Sequence, residues 1–119
     1  MLIRIDPARD MPLADQIAAA VRRAIADGSA PAGTRLPAAR ELAGSLQVSI
    51  HTVLAGYQQL RDEGLIELRR GRGATVSDSA RPGNATVAEL ARQLVEAARR
   101  LDLTEDDLLG IVRRAARGS

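Results

Sequence analysis

Apolar residues recur every three or four positions along three stretches of the first half of this chain. Between Pro12 and Gly28 that spacing predicts an amphipathic helix, with proline in its first turn and glycine just past its end. A shorter stretch that starts at Pro37 predicts a second helix, and Ser49 is a suitable N-cap for a third helix that ends at Gly64. Only a few residues separate the second and third helices. The pattern is that of a helix-turn-helix, although any pair of antiparallel helices gives a similar one.

The third predicted helix has an apolar face and a polar face. Val53, Leu54 and Tyr57 form the predicted buried stripe, and Tyr57 is expected to fill the space between this helix and the strands that follow. His51 faces away from that stripe at the start of the helix. A lone histidine in such a position is more often plain surface than a ligand, so the helical pattern alone assigns it no role.

Two short β-strands are predicted after the third helix. Residues 65–69 and 74–76 contain strand-forming residues, and the Arg-Gly-Arg-Gly segment at 70–73 fits a tight hairpin connection. Glycine permits the positive φ angles of such a turn, so the hairpin would display several arginine side chains on a protruding tip. Three helices followed by a basic hairpin predict a winged helix-turn-helix. A further short edge strand is predicted at residues 2–5.

A linker and two more helices are predicted beyond the hairpin. Residues 78–85 combine proline, glycine and polar residues, which is typical of a linker. Thr86 with Glu89 forms a capping-box pattern that predicts the start of a fourth helix, and Thr104 starts a fifth helix in the same manner. The predicted fold is therefore mainly α with a small β-wing (α+β), with a winged helix-turn-helix at 1–77.

The two C-terminal helices, within residues 86–119, have more apolar positions than two such short helices can bury against each other. Their surplus apolar surface must pack against the winged domain or against another chain. A heptad-like spacing along the fourth helix favours a dimer contact. The residues predicted to form it are Val87, Leu90, Ala91, Leu94, Leu101, Leu108 and Val112.

Composition excludes several classes of function. The chain has no cysteine and one histidine, which removes disulfide scaffolds, thiolate zinc sites and cysteine nucleophiles, and we expect neither a metal nor a cofactor. No stretch approaches the ~20 apolar residues of a membrane span, so we expect a cytoplasmic protein. The carboxylate pairs at 62–63 and 106–107 have no nucleophile, base or metal partner at a suggestive spacing, so no catalytic residue is predicted.

The positions of the charged residues are more informative than the net charge. The net charge of +2 is too small to indicate nucleic-acid binding by itself. However, all 17 basic residues are arginine, and Arg69, Arg70 and Arg72 crowd into the predicted hairpin. Arginine can form forked contacts to phosphate or guanine, so the hairpin is the strongest candidate for contact with a nucleic acid.

The segments PLADQI (12–17), GTRLPAARELA (33–43), VSIHTV (48–53) and YQQLRDEGLIELRRGRGATV (57–76) resemble the amino-terminal winged-helix domain of GntR-family bacterial transcription regulators. Only residues 78–119 follow the hairpin, which is similar to the YtrA-type subgroup, where two helices serve mainly for dimerisation. The resemblance implies a sequence-specific DNA-binding regulator, expected to be a repressor, that binds a palindromic operator as a homodimer. It leaves the identity of any small-molecule effector unknown.

The resemblance also implies which residues contact DNA. An arginine on the second helix reads guanine, hydroxyls at the start of the recognition helix contact phosphate, and hairpin arginines enter the minor groove or clamp phosphates. The implied DNA-binding residues are Arg40, Ser49, His51, Thr52, Arg69, Arg70, Gly71 and Arg72. The alternative interpretations are a solvated Arg40 paired with Glu41, a Ser49 that only caps its helix, and a hairpin that is an ordinary solvated turn.

The chain departs from the family pattern at three places. Ala38–Ala39 replaces a common Ser-Glu, Ile50 replaces a common arginine, and Ala55–Gly56 stands where basic residues are frequent. Losing the arginine at position 50 removes a phosphate or base contact and lowers the expected affinity for DNA. Two alternatives therefore stay open, a winged helix that docks proteins and a nonspecific, nucleoid-type DNA binder.

Overall fold

The computed structural model describes residues 1–69 and 73–118, and it has the predicted mainly α architecture with a small β-wing. The helices and strands within those residues are α1 (Leu13–Ala26), α2 (Ala39–Leu46), α3 (Ile50–Asp62), β1 (Ile66–Arg69), β2 (Gly73–Val76), α4 (Pro82–Arg100) and α5 (Glu105–Arg117). The chain divides into two compact units, Met1–Glu89 and the residues from Leu90 onwards.

Helix α1 is the centre of the first unit. Ile17 and Val21 are fully buried on it, and they belong to the same apolar cluster as Val53 and Leu60 of α3. Helices α1 and α3 approach closely at Gly56, where an added Cβ would lie 2.9 Å from the carbonyl oxygen of Ala14. The absence of a side chain at position 56 thus sets how closely the two helices pack.

The turn between α2 and α3 is closed by local hydrogen bonds. Gln47 ends α2 in the left-handed region, with φ of 58°, and the next amide, that of Val48, donates to the carbonyl of Ala43 at 3.0 Å. Ser49 caps α3, because its Oγ accepts a hydrogen bond from the amide of Thr52 at 3.1 Å. The predicted cap at Ser49 and the tight helix-turn-helix are both confirmed.

The wing is a two-stranded antiparallel sheet in which Ile66 pairs with Val76 and Arg69 with Gly73. The segment before α2 also lies along β2, because the amide of Leu36 donates to the carbonyl of Ala74 at 2.9 Å and Val76 donates to Thr34. This pairing was not predicted. The tip of the predicted hairpin, residues 70–72, lies outside the described residues.

Tyr57 anchors the wing side of α3, as predicted for a core residue. Its ring is buried, and its hydroxyl donates to the carbonyl of Pro37 at 2.6 Å. Burial raises the pKa of this phenol to about 12, so the hydroxyl keeps its proton across the physiological pH range. The neutral phenol therefore ties the start of α2 to the middle of α3.

Four sequence predictions of local structure are wrong, and the last of them concerns Thr86. Residues 2–5 form no strand, and Ile3 is instead buried in the core from an irregular segment. Pro37 precedes α2 rather than starting it, since the helix begins at Ala39. The predicted linker 78–85 is shorter than expected, because α4 already begins at Pro82.

Helix α4 starts early because its first turns are fixed by packing. Ala85 is fully buried in the core cluster of the first unit, and proline at the helix start has a preset φ. Thr86 therefore lies inside the helix, where its hydroxyl donates to the carbonyl of Pro82 at 3.0 Å rather than capping an amide. The capping box predicted at Thr86 is absent.

The start of α5 has the predicted geometry. Thr104 accepts a hydrogen bond from the amide of Asp107 at 3.1 Å, and the Asp107 carboxylate accepts one from the amide of Thr104 at 3.0 Å. The hydrogen bond from the Thr104 amide lowers the pKa of the Asp107 carboxyl group, and the hydrogen bond with the Thr104 side chain lowers it further. The capping box keeps this carboxylate ionised at the positive end of the helix.

Replacing Gly56 with alanine should destabilise the protein by about 1–2 kcal/mol, because the new methyl group forces α1 and α3 apart despite the better helix propensity of alanine. Gly44→Ala is the matched control: an added Cβ there meets no atom within 4 Å. It should stabilise α2 by up to about 1 kcal/mol. Urea unfolding of both variants would test this, and equal effects at the two glycines would contradict the close-packing argument.

Candidate nucleic-acid interface

The outer face of α3 is the surface available for recognition. Val53, Gly56, Tyr57 and Leu60 face the core, whereas the exposed residues of the first turns are His51, Leu54, Ala55 and Gln58. His51 is exposed, as predicted. Leu54 was predicted to be buried, and this prediction is wrong: its side chain is 39% exposed. Its position at the edge of the buried face, next to Val53, accounts for this exposure.

Hydroxyl groups lie at the start of α3. Ser49 Oγ caps the helix and also lies 2.9 Å from Thr52 Oγ1, so the two hydroxyls share one hydrogen bond. In this hydrogen bond one hydroxyl donates and the other accepts, so the accepting hydroxyl can still donate its own proton to a phosphate oxygen. Capping and phosphate contact are compatible at Ser49, and the positive end of the helix dipole favours an anion here.

Arg40 lies in the first turn of α2 and is exposed. Within the part of the chain that the structure describes, its side chain makes no hydrogen bond or ion pair, and the alternative pairing with Glu41 is not formed. All of the donors of its guanidinium therefore face solvent. An unpaired, exposed arginine next to the recognition helix can form a forked contact with guanine or phosphate.

Arg69 ends β1, and its guanidinium lies 2.8 Å from the Glu67 carboxylate. Both side chains are about half exposed, so this ion pair contributes little to stability and can exchange for a phosphate. The other predicted wing residues, Arg70, Gly71 and Arg72, lie outside the described residues, and their contacts stay predictions.

Comparison with known proteins agrees with this geometry. The model of the family described as "Bacterial regulatory proteins, gntR family" matches residues 13–76, from the start of α1 to the end of β2. The chain belongs to the GntR family. It is thus a transcription regulator with a winged-helix DNA-binding domain.

Individual relatives support the YtrA-type assignment. This GntR-family chain is 37% identical over 107 residues to the HTH-type transcriptional regulator Rv1152 of Mycobacterium tuberculosis, covering 90% of this chain and 88% of that one. It is 36% identical over 80 residues to the HTH-type transcriptional repressor YtrA of Bacillus subtilis, covering 67% and 62%. The solved structure of YtrA from Sulfolobus acidocaldarius, a GntR-family transcription factor, superposes with a TM-score of 0.61 at 35% identity, covering 80% and 99%.

One of the departures from the family pattern has a structural cause. A basic side chain at position 56 cannot be accommodated, since even a Cβ there would contact Ala14 and Ile17 of α1. In the Ala55–Gly56 pair, only Ala55 is exposed, so only at position 55 does the chain lack a basic side chain that could contact DNA. Ile50 is half-buried and packs against the core cluster, so its side chain has a structural role in the GntR-family domain.

A buried charge on α1 was not among the sequence predictions. Arg22 of α1 is 2% exposed, and its Nε and Nη2 donate to the Glu63 carboxylate over 2.7–3.1 Å. Its Nη1 donates to Glu89 of α4 at 3.1 Å. A third partner is Gln59 at 3.5 Å, which itself donates to Asp15 at 2.6 Å. The network joins α1, the C-terminal end of α3 and the start of α4.

Only a weak signal for this network exists in the sequence. Arg22 lies four residues after Ala18 and three before Ile25, so it shares a helix face with two buried residues. Its acceptors, however, are 41 and 67 residues away along the chain. The carboxylates at 62–63 lie at the C-terminal end of α3, but the ion pair of Glu63 with Arg22 could not be inferred from the sequence.

The predicted dimer residues are mostly exposed. Val87 is 67% and Leu101 73% exposed, and Leu90, Ala91, Leu94 and Val112 are also exposed, while Leu108 is half-buried. Leu109, which was not assigned to the dimer, is exposed as well. Both the dimer contact and the alternative, that these side chains cover their own winged domain, stay predictions.

No metal-binding cluster of His, Asp or Glu occurs among residues 1–69 and 73–118. In the same residues, no helix is both long and apolar enough to cross a membrane.

Replacing Arg22 with methionine should destabilise the first unit by about 3 kcal/mol, because the Glu63 and Glu89 carboxylates would both lose the guanidinium that donates to them. Adding Glu63→Gln and Glu89→Gln to the same chain should recover most of that loss. Urea unfolding measures both changes. No recovery in the triple variant would show that Arg22 acts by packing rather than by charge.

Proposed function

We propose that this GntR-family chain is a sequence-specific DNA-binding repressor that binds a palindromic operator as a homodimer. The observation that carries the proposal is the exposed outer face of α3 beside Arg40, an arginine with no partner in the described part of the chain. That arrangement fits insertion of α3 into the major groove, with its N-terminal residues on base edges.

In this proposal, each predicted contact has a separate chemical role. Arg40 forms a forked hydrogen bond with guanine O6 and N7, and the Ser49 and Thr52 hydroxyls hold a phosphate at the start of α3. His51 contacts a base or a phosphate from the same helix end. The wing arginines, residues 69, 70 and 72, clamp the backbone beside the minor groove, with Gly71 allowing close approach.

The exposed apolar stripe that runs along α4 to Leu101, the residue after the helix, supports the proposed dimer. Val87, Leu90, Leu94, Ala97 and Leu101 are all exposed, and their spacing of three and four residues is that of a and d positions in a coiled coil. Such a stripe costs free energy in water and is the usual signature of a surface that pairs. Two-fold symmetry of the dimer would then impose a palindromic operator. Repression is proposed because the B. subtilis relative YtrA is named a repressor.

The function is tested by measuring binding of the full chain to a fragment of its own promoter and to random DNA of equal length. A specific regulator should bind a promoter site roughly 10³-fold or more tightly than random DNA. Equal affinity for both would indicate a nonspecific, nucleoid-type binder. Absence of binding at low salt would favour the protein-docking alternative. A reporter gene behind the same promoter then distinguishes repression from activation.

Replacing Ile50 with arginine should strengthen operator binding and steepen its salt dependence. The aliphatic part of arginine can cover the same core edge while its guanidinium reaches a phosphate. Neutralising one more phosphate in each half of a dimer adds roughly 2 to the magnitude of the slope of log K against log salt. Gln93→Arg, which adds the same charge on α4, is the control. An unchanged slope for Ile50→Arg would contradict the docking of α3 on DNA.

Replacing Leu94 with glutamate should convert the protein to a monomer, because it puts two like charges at the centre of the proposed helix pairing. Light scattering at micromolar concentration measures the mass. Gln93→Glu is the matched control, since it adds the same charge to α4 on an exposed side chain outside the apolar stripe, and it should remain a dimer. A monomeric wild-type protein, or a dimeric Leu94→Glu variant, would remove this interface from the proposal.

A further inference from the structure

Leu54 is unusual among the apolar residues of the helix-turn-helix. Helices α1, α2 and α3, all of whose residues the structure describes, contain ten leucine, isoleucine and valine side chains, and each of the others is buried or half-buried. Leu54 alone is exposed, and it lies in the second turn of the recognition helix. Single exposed leucines are common on protein surfaces. Here the exposed one occurs on the helix that would face DNA.

The surroundings of Leu54 on α3 are uncharged. No Asp, Glu or Arg occurs from Ile50 to Leu60, and the exposed neighbours of Leu54 one turn before and after are His51 and Gln58. The turns of α3 around Leu54 therefore contain no arginine with which to hold a phosphate, since the first arginine of the helix, Arg61, lies in its last turn. It offers hydrocarbon from Leu54 and hydrogen-bonding groups from the imidazole and the amide, which suits base edges rather than the DNA backbone.

Major-groove base edges present one methyl group, the C5-methyl of thymine. Apart from small C–H edges such as C5–H of cytosine, the other groups there are hydrogen-bond donors or acceptors, to which leucine can offer nothing. A leucine buried against any of them would leave that group without a partner. The chemistry of Leu54 thus selects thymine among the four bases.

We propose that Leu54 is a specificity-determining residue that packs against the C5-methyl group of a thymine in each half of the operator. The inference rests on the proposed function, because it requires α3 to lie in the major groove. The proposed base contact is made by a hydrocarbon side chain, in the part of α3 that contains no arginine. The operator should then contain an essential thymine in the major-groove face of each half-site.

The test uses the full chain and an operator selected from random DNA. Each thymine of one half-site, with its symmetry mate, is replaced in turn by deoxyuridine, which removes only the methyl group. At one position, deoxyuridine should weaken binding of the wild-type protein about fourfold for each half-site, the effect of removing one buried methyl group. Binding of Leu54→Ala should not respond to the same substitution. If Leu54→Ala removes the effect of deoxyuridine, the double-mutant cycle shows that Leu54 and that methyl group are energetically coupled.

Two further variants separate packing from structure. Leu54→Met keeps an apolar side chain of similar reach, and it should retain the discrimination between thymine and deoxyuridine. Gln58→Ala removes an exposed neighbour on the same face, and it should leave that discrimination intact even where overall affinity falls. If Leu54→Ala does not fold, Leu54→Gln at the same position provides the coupling measurement with a polar side chain.

The outcomes distinguish this inference from the proposed function. If the wild-type protein binds no DNA in preference to random sequence, the proposed function fails and this inference with it. If it selects an operator but wild type and Leu54→Ala respond equally to deoxyuridine at every thymine, only the role of Leu54 is overturned. An operator without thymine in the major groove opposite α3 has the same consequence.

Discussion

The buried guanidinium of Arg22 is the interaction on which the arrangement of the first unit depends. A charge that is 2% exposed is stable only if its donors are satisfied, and here Glu63, Glu89 and Gln59 accept from it. Glu63 directly follows α3, and Glu89 lies in the second turn of α4. A single side chain of α1 therefore fixes the end of the recognition helix and the beginning of the next helix at once. Hydrophobic contacts alone would tolerate sliding, whereas a forked ion pair specifies one register.

The opposite end of α3 is fixed by different means. Ser49 caps it, the hydroxyl of Tyr57 binds the carbonyl before α2, and the bare backbone at Gly56 lets α1 approach. With both ends and the middle held, the helix cannot rotate about its own axis. Its rotation decides which residues face outward, and so it decides that Leu54 and His51 are available for recognition while Val53 is not.

In the proposed complex with DNA, different elements supply the electrostatic attraction and the recognition of bases. Arginines on α2 and the wing would supply the electrostatic attraction, and the first turns of α3, which contain no arginine, would supply discrimination between bases. A net charge of +2 is consistent with such a division, because 15 acidic residues offset 17 arginines in the sum, while Arg69, Arg70 and Arg72 lie together in the sequence. A protein with little nonspecific attraction depends more strongly on correct geometry, which in this proposal the dimer contact of α4 provides.

Features set by neighbouring residues were predictable from the sequence by itself. The helix caps at Ser49 and Thr104, the end of α1 near Gly28 and the two wing strands follow from hydrogen bonds and backbone preferences within a few residues. The motif order likewise indicated the winged helix and its family. The sequence indicated which side chains could contact DNA, but it did not indicate what surrounds them in the folded protein.

Tertiary structure alone decided the remainder, because the deciding partners are far apart in the chain. Arg22 is buried only because carboxylates 41 and 67 residues later meet it. Leu54 is exposed because no element among residues 1–69 and 73–118 covers its side of α3, which periodicity within the helix cannot reveal. The early start of α4 at Pro82 depends on a site for Ala85 in a core built from other helices. Local chemistry thus determined the elements, and long-range packing determined which of their faces are left for function.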